Sequence, residues 1–125
     1  MAARAVKAPA RGREGEDLAC RHLVAQGFRI LERNWRCRAG ELDIVARDGA
    51  VTVFVEVKDR GDVSHGEGFE AVTSRKRQRI VLAARLYAAG AGLEGRPMRF
   101  DVVSIDRSAG APRVRHDRNA FGAEG

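Results

Sequence analysis

A pair of alternating segments joined by Asp48-Gly49 constrains the fold of this chain more than any other feature. The segments at 41–47 and 50–58 are rich in β-branched residues and alternate between apolar and polar positions, as strands do. Asp-Gly between two such runs is a strong signal for a two-residue hairpin turn, because both residues tolerate a left-handed backbone. The sequence therefore predicts an antiparallel hairpin in which residue 47 pairs with residue 50.

This register assigns the side chains of the hairpin to two faces, since neighbouring residues of a strand point in opposite directions. One face is apolar and is predicted to belong to the core: Leu42, Ile44, Ala46, Val51, Val53 and Val55. The other face collects four charged residues: Glu41, Asp43, Glu56 and Lys58. Val45, Thr52 and Phe54 share the charged face and are too apolar for full exposure, so we expect a helix to cover part of it.

The rest of the chain predicts an α/β fold. In chain order we expect a loose basic arm over 1–11, a helix over 13–26, a strand over 28–35, the hairpin, a glycine-rich loop over 59–68, a helix capped by Thr73 and ending at Ala89, a strand over 98–105, a shorter extended piece over 113–116 and a frayed tail at 122–125. A mixed sheet flanked by helices accommodates this order, in a single domain over 12–121.

The charge balance favours a polyanionic partner. The net charge is +6 and the sequence pI is about 10.3, and nucleic acid is the commonest partner of such basic proteins. Charge alone does not favour this interpretation over the alternative, a basic protein that binds no nucleic acid. No run approaches the roughly 20 apolar residues that cross a bilayer, and the N-terminus lacks the apolar core of a secretion signal. We therefore expect a cytoplasmic protein that does not contact membranes.

The cysteines and histidines predict no metal site of their own. Cys20 and Cys37 are expected to be reduced thiols, since cytosolic proteins rarely carry disulfides. They form no recognisable zinc pattern with His22, His65 and His116.

The charged face of the hairpin could hold a metal ion. In the predicted register Asp43 and Glu56 are diagonal neighbours, roughly 7–8 Å apart, so their carboxylates could turn inward and share one divalent cation. Mg²⁺ or Mn²⁺ would relieve the repulsion among the acids, and the backbone carbonyl of Val57 could complete the ligand set. The alternative is an ordinary solvated face, because a lone Glu-x-Lys in a strand is common.

Several motifs along the chain resemble one known family. They are Gly15-Glu16, Arg33-Asn34, Gly40-Glu41-Leu42-Asp43, Phe54-Val55-Glu56-Val57-Lys58, Glu70-Ala71-Val72 with Lys76, and Arg99-Phe100-Asp101-Val102-Val103. In this order and spacing, over roughly 12–121, they resemble the YraN-like bacterial family. Its members are usually described as uncharacterised and as related in fold to archaeal Holliday-junction resolvases.

The resemblance implies the restriction-endonuclease-like αβββαβ core of the PD-(D/E)xK nucleases. Asp43 takes the place of the first acid, although Leu42 stands where the signature has proline. Glu56-Val57-Lys58 takes the place of the Glu-x-Lys. Glu16 corresponds to the helix-one acid that joins the metal site in resolvase-like members; its alternative role is a first-turn acid favoured by the helix dipole.

The resemblance also implies a function, which is metal-dependent hydrolysis of phosphodiester bonds in DNA, including branched DNA. Lys58 would contact the attacking water or a phosphate oxygen. Four basic residues at the start of the second helix could contact phosphates, or could form a solvated helix face: Arg75, Lys76, Arg77 and Arg79. Resolvase-like enzymes act as dimers, so a homodimer is implied as well. The alternatives are a nucleic-acid-binding protein without catalytic activity and an adaptor protein that retains the fold.

Overall fold

The computed structural model describes residues 10–60 and 72–123. Within them, the elements in chain order are α1 (Ala10–Ala25), β1 (Arg29–Cys37), β2 (Gly40–Asp48), β3 (Val51–Arg60), α2 (Ser74–Gly90), β4 (Met98–Asp106) and β5 (Arg113–Phe121). The predicted order of a helix, three strands, a helix and further strands is confirmed, with two strands after α2. Positions 1–9 of the predicted arm and the predicted loop beyond position 60 lie outside the described residues.

The five strands form one sheet in the order β1-β2-β3-β4-β5. Neighbouring strands are antiparallel, except that β3 and β4 run parallel from Thr52↔Met98 to Arg60↔Asp106. Parallel neighbours require a long crossover between them, and α2 lies in that connection. The prediction of an α/β fold with a mixed sheet is therefore confirmed.

Each helix packs on a different face of the sheet. The cluster on the α1 side consists of Ala19, Leu23, Phe28, Ile44, Ala46, Val53, Val55 and Val103. The cluster on the α2 side includes Val45, Phe54, Ile80, Val81, Ala84 and Phe100. Each large apolar side chain that is fully buried contributes about 1.5–3 kcal/mol, so these clusters fix both helices to the sheet. As expected, a helix covers the apolar part of the charged face, and that helix is α2.

The predicted register of the hairpin between β2 and β3 is wrong by two residues. Asp48 pairs with Val51 and Ile44 pairs with Val55, so the turn residues are Gly49 and Ala50. Gly49 has a positive φ of 63°, and a turn with glycine in its first central position is of type II′, which leaves Asp48 in the strand. A shift of two residues keeps each side chain on its face. The regular pairing ends at Ile44↔Val55, so Asp43 lies just beyond the paired part of β2.

Leu42 does not lie on the predicted face. It packs in the α2-side cluster with Trp35 and Val45, whereas Ile44 packs under α1. The strict alternation of β2 is therefore broken between these two positions. Asn34, which lies on β1 opposite this break, has a left-handed φ of 54°. The two irregular positions therefore face each other across the β1–β2 pair.

The hairpin between β1 and β2 brings its turn next to α2. β1 continues past Trp35 to Cys37, which pairs with Gly40. Gly40 packs on α2, since a Cβ at this position would lie 3.7 Å from the Cβ of Arg79. Cys20 and Cys37 are both free thiols in the structure.

The helix boundaries lie close to the predicted ones. α1 begins at Ala10 rather than at Arg13. Thr73 caps α2 as predicted, and its hydroxyl oxygen accepts a hydrogen bond from the Lys76 N–H at 3.2 Å. Such a cap satisfies one of the backbone N–H groups that a helix start leaves without partners. Neither described helix has the length and apolar composition needed to cross a membrane.

Candidate active site

A cleft of about 430 Å³ opens where β2 and β3 meet the beginning of α2. The described residues that line it are Gly40, Glu41, Asp43, Glu56, Thr73, Arg75, Lys76, Arg79 and Ile80. Among these described residues, the acids come from the sheet, whereas the bases come from the helix. Asp43 and Glu56, the two acids that the sequence singles out, both line this cleft.

Asp43 lies where the regular pairing of β2 with β3 ends. The register stops at Ile44↔Val55, and beyond it the Asp43 Oδ2 accepts a hydrogen bond from the Val57 N–H at 2.8 Å. Burial raises the pKa of Asp43 well above its usual value, and the negative charge of Glu56 raises it further. The N–H of Val57 offsets only part of this effect. Asp43 is therefore an acid held beside another acid, and the described residues around it on balance disfavour its charged form.

Glu56 is buried, with 6% of its surface exposed. Its Oε2 lies 2.6 Å from the ammonium nitrogen of Lys76, the distance of a strong charge-assisted hydrogen bond. Although burial lowers the pKa of Lys76, the hydrogen bond and the charge of Glu56 raise it above its ordinary value. The sequence predicted Lys76 only as a phosphate contact, and the structure makes it the direct partner of Glu56.

Glu16 approaches Asp43 from α1, on the other side of the sheet. It is 7% exposed, its Oε1 accepts a hydrogen bond from the Asn34 amide at 2.9 Å, and Arg33 lies 3.6 Å away. Burial raises the pKa of Glu16 despite these partners. The charge of Glu16 also contributes to the raised pKa of Asp43. The helix-one acid therefore acts on the site through its charge, although it does not line the cleft.

Gly15 explains how α1 comes so close to the sheet. The Asp59 carboxylate, at the end of β3, fills the space where a side chain at position 15 would begin, so glycine is required there. Asp59 in turn accepts hydrogen bonds from two nitrogens of Arg107, at 3.0 and 3.2 Å. This contact fixes the first turns of α1, and with them Glu16, against the end of β3.

Asn34 is a side chain of this region to which sequence reasoning assigned no role. Its neighbours pair as Arg33↔Ile44 and Trp35↔Leu42, so Asn34 lies opposite Asp43. Its Nδ2 donates to Glu16, while its Oδ1 is buried and has no hydrogen-bond partner among the described residues. A buried polar atom left in this way typically costs about 1–3 kcal/mol. The available signal was an asparagine within a strand, where asparagine is depleted.

The four basic residues predicted to contact phosphates at the start of α2 differ in their position relative to the cleft. Arg75, Lys76 and Arg79 are exposed and line the cleft. Arg77 is half-buried and does not line it. Three of the four residues therefore lie where they could contact a ligand of the cleft.

The two residues after Glu56 differ from the expected arrangement. Val57 turns its N–H toward Asp43, and the predicted role of its carbonyl as a metal ligand stays a prediction. Lys58 is half-buried on β3 and is not part of the cleft wall. Among the described residues, the lysine that lines the cleft is Lys76.

Comparison with known sequences gives the family. A model of the uncharacterised protein family UPF0102 matches residues 15–105, which is more than half of the chain. The chain belongs to this family. The YraN-like resemblance drawn from the motifs is thereby confirmed.

Related UPF0102 proteins are similar over most of their length. One from Pseudomonas paraeruginosa is 47% identical over 116 residues, which cover 90% of this chain and 93% of the relative. One from Frankia casuarinae is 50% identical over 111 residues, covering 88% and 94%. One from Anaeromyxobacter dehalogenans is 48% identical over 114 residues, covering 91% and 85%. The names of these relatives state a family and no activity.

Two carboxylates of the UPF0102 cleft, those of Asp43 and Glu56, are of the kind that hard divalent cations prefer as ligands. In the described part of the chain, no group of three or more His, Cys, Asp or Glu side chains is arranged to hold a metal ion. Mg²⁺ is nevertheless commonly bound by one or two carboxylates together with waters and substrate phosphates. Asp43 and Glu56 supply such oxygens, and a cation would relieve the repulsion that contributes to the raised pKa of Asp43.

A fully buried aspartate on β4 has surroundings opposite to those of the half-buried Asp43. Asp101 of β4 is fully buried, and its carboxylate accepts hydrogen bonds from two nitrogens of Arg99 at 2.9 and 3.0 Å. It also accepts from His116 Nε2 at 2.8 Å and from the Asn119 N–H at 2.9 Å. Although burial raises the pKa of Asp101, these hydrogen bonds lower it to about 2. The group joins β4 to β5 away from the cleft, which indicates a structural role.

Proposed function

We propose that this UPF0102 protein is a metal-dependent endonuclease that hydrolyses phosphodiester bonds in DNA. The observation that carries the proposal is the meeting of two sheet carboxylates, Asp43 and Glu56, with three basic residues of α2 in one cleft. Acids suit a divalent cation and bases suit a phosphate, so such a cleft fits a phosphate with its metal ion. The net charge of +6 supports a nucleic-acid partner.

The restriction-endonuclease-like core is part of this proposal. The order α1-β1-β2-β3-α2-β4 agrees with the αβββαβ order that the family resemblance implies. Asp43 on β2 and Glu56 on β3 occupy the places of the first acid and of the Glu-x-Lys acid. Both residues line the same cleft, and they are close enough for the charge of Glu56 to raise the pKa of Asp43.

The residues of the cleft and its surroundings have different roles in the proposed reaction. Asp43 and Glu56 hold the cation, which when bound lowers the pKa of a water and neutralises charge on the phosphate. Arg75 and Arg79 bind phosphate oxygens and orient the scissile bond toward the acids. Glu16 adds negative charge behind Asp43 and thereby favours a cation in the site. Lys58 retains the role that the resemblance gives it, contact with water or phosphate.

A nucleic-acid-binding protein without catalytic activity is the second candidate function. The observation in its favour is the ion pair between Glu56 and Lys76, which already neutralises one of the two acids. In this case the three bases would bind the phosphate backbone, and the acids would serve to position the helix.

Cleavage assays on labelled nucleic acids test the proposal. A four-way junction, a flap, linear duplex DNA, single-stranded DNA and single-stranded RNA would each be incubated with Mg²⁺, with Mn²⁺ or with a chelator. We expect cleavage of DNA that requires the metal. Asp43→Asn and Glu56→Gln should each reduce the rate by at least about a hundredfold, since either change removes a cation ligand worth several kcal/mol in the transition state.

Glu41→Gln is the matched control for these variants. Glu41 lines the same cleft, but its side chain is 36% exposed and is paired with Arg36 at 3.6 Å. The control should keep its rate within about threefold of wild type, because an exposed ion pair of this kind contributes little. If no substrate is cut while wild type and Glu56→Gln bind DNA equally, the protein is a binding protein and the endonuclease proposal is overturned.

A further inference from the structure

The Lys76 ammonium contacts a carboxylate that the proposed function assigns to a metal cation. Its ammonium nitrogen lies 2.6 Å from Glu56 Oε2, and the Glu56 side chain is only 7% exposed. The same ammonium also interacts favourably with the charges of Asp43 and Glu41. One positive group on α2 therefore interacts with each acid that lines the cleft in the described part of the chain.

The backbone of Lys76 is held in place by the packing of α2, whereas its side chain can change conformation. The first turn of α2 is held by the Thr73 cap and by Ile80, which is 5% exposed. The Lys76 side chain itself is 53% exposed, and a lysine reaches its ammonium through a flexible four-carbon stem. The ammonium can therefore leave Glu56 without any movement of the helix.

A divalent cation and this ammonium cannot both be held tightly by Glu56. A metal bound to carboxylate oxygens lies about 2.0–2.6 Å from them. The ammonium stands at a similar distance from the same carboxylate. Two positive charges so close together repel strongly in a partly buried site, where water screens them poorly.

We propose that Lys76 is a built-in counter-ion that competes with the divalent cation for Glu56 and moves away from it when that cation binds. The displaced ammonium then joins Arg75 and Arg79 on the helical side of the cleft, where a phosphate would lie. This inference rests on the cation binding of the proposed function and does not depend on cleavage.

Calorimetric titration of the full-length protein with Mn²⁺ alone, without nucleic acid, tests the inference. Lys76→Met removes the charge and keeps most of the stem, so we expect it to bind Mn²⁺ roughly three- to tenfold more tightly than wild type. Lys76→Arg keeps the charge and should stay within about twofold of wild type. The unfolding midpoint of each variant shows that it is folded.

Arg79→Met is the matched control, because Arg79 lines the same cleft whereas the ion pair to Glu56 is made by Lys76. It should change Mn²⁺ affinity by about twofold or less. The inference is overturned if Lys76→Met binds Mn²⁺ no more tightly than wild type, if Arg79→Met matches it, or if no form binds Mn²⁺. Tighter binding by Lys76→Met together with an absence of cleavage would support the inference and overturn the endonuclease proposal alone.

Discussion

Asp43 and Asp101 are both carboxylates of the central sheet, and their surroundings affect them in opposite ways. Burial and the charge of Glu56 raise the pKa of Asp43 well above its usual value. Burial also acts to raise the pKa of Asp101, but hydrogen bonds from His116 and Arg99 lower it to about 2. The difference therefore comes from the partners and not from burial.

The partners of Asp101 come from several elements and are themselves held. Arg99 also reaches Asp48, at the end of β2, at 3.0 Å. His116 Nε2 donates to the carboxylate, so in a neutral ring its Nδ1 accepts from His22 Nε2, 3.1 Å away on α1. Asp101 thereby connects α1, β2, β4 and β5. A fully hydrogen-bonded buried network of this kind specifies one arrangement of the elements around it.

The surroundings of Asp43 leave its charge unbalanced. Among the described residues, the Val57 N–H donates to it, and it is close enough to Glu56, Glu16 and Glu41 for each of them to raise its pKa. Lys76 offsets part of this charge from the other wall of the cleft. A protein gains no stability from acids arranged in this way, and such sites often serve binding or catalysis. The comparison indicates that Asp101 stabilises the fold, whereas the surroundings of Asp43 suit the function proposed for the cleft.

The largest effect is expected from Asp101→Asn. The change removes the negative charge and leaves Arg99 and His116 without their partner inside the protein. We expect the free energy of unfolding to fall by about 3 kcal/mol and the melting temperature to fall by roughly 10 °C, as measured by urea and thermal unfolding. A loss below about 1 kcal/mol would show that the network contributes little and would remove the contrast with Asp43.

Asp101 and Asp43 should contribute to the pH dependence of the free energy of unfolding with opposite signs. The pKa of Asp101 is lowered from 3.8 to about 2, so its contribution is present above pH 3.8 and is lost as the pH falls toward 2. This loss amounts to about 2 kcal/mol, since one pKa unit corresponds to about 1.4 kcal/mol. The pKa of Asp43 is raised, so proton uptake there stabilises the folded state as the pH falls through that raised value.

Urea unfolding of wild type, Asp101→Asn and Asp43→Asn between pH 7 and pH 2 separates these contributions. Asp101→Asn should lose less stability than wild type below pH 4, because its main acid-sensitive group is gone. Asp43→Asn should lose more than wild type on acidification, because the compensating proton uptake is missing. If the free energy of unfolding changes with pH in the same way for all three proteins, the pKa of neither carboxylate differs from that of an exposed one.

The smallest effect is expected from Asp43→Asn at pH 7. Asparagine keeps an oxygen that can accept from the Val57 N–H, and it removes one of the mutually repelling charges. We expect the free energy of unfolding to rise by about 1 kcal/mol, as is common when a functional residue is replaced by one that suits the fold better. Asp43→Ala, which also loses the hydrogen bond, should not show this gain. A clear destabilisation by Asp43→Asn would instead assign Asp43 to the fold, like Asp101.

Much of the fold follows from local patterns in the sequence. The alternation at 41–58 gave the two strands and put Asp43 and Glu56 on one face. The Thr73 cap gave the start of α2, because capping depends only on residues within one helical turn. These features are local, so neighbouring residues are enough to determine them.

Other features depend on backbone angles that the pattern does not specify. Asp-Gly is compatible with more than one turn, and the φ of Gly49 decided the hairpin register. The left-handed φ of Asn34, opposite Asp43, coincides with the point where Leu42 leaves the expected face. The apolar pattern of the sequence carries no trace of either irregularity.

The sequence by itself determined the α/β class, the acids of the cleft and the basic character of the helix that faces them. Only the tertiary structure decided which lysine meets Glu56, which partners surround Asp101 and why position 15 must be glycine. Lys76 reaches Glu56, and Asp59 reaches Gly15, because helices dock on the sheet at particular distances and angles. Residues distant in sequence meet through that docking, and no periodicity within one element encodes it.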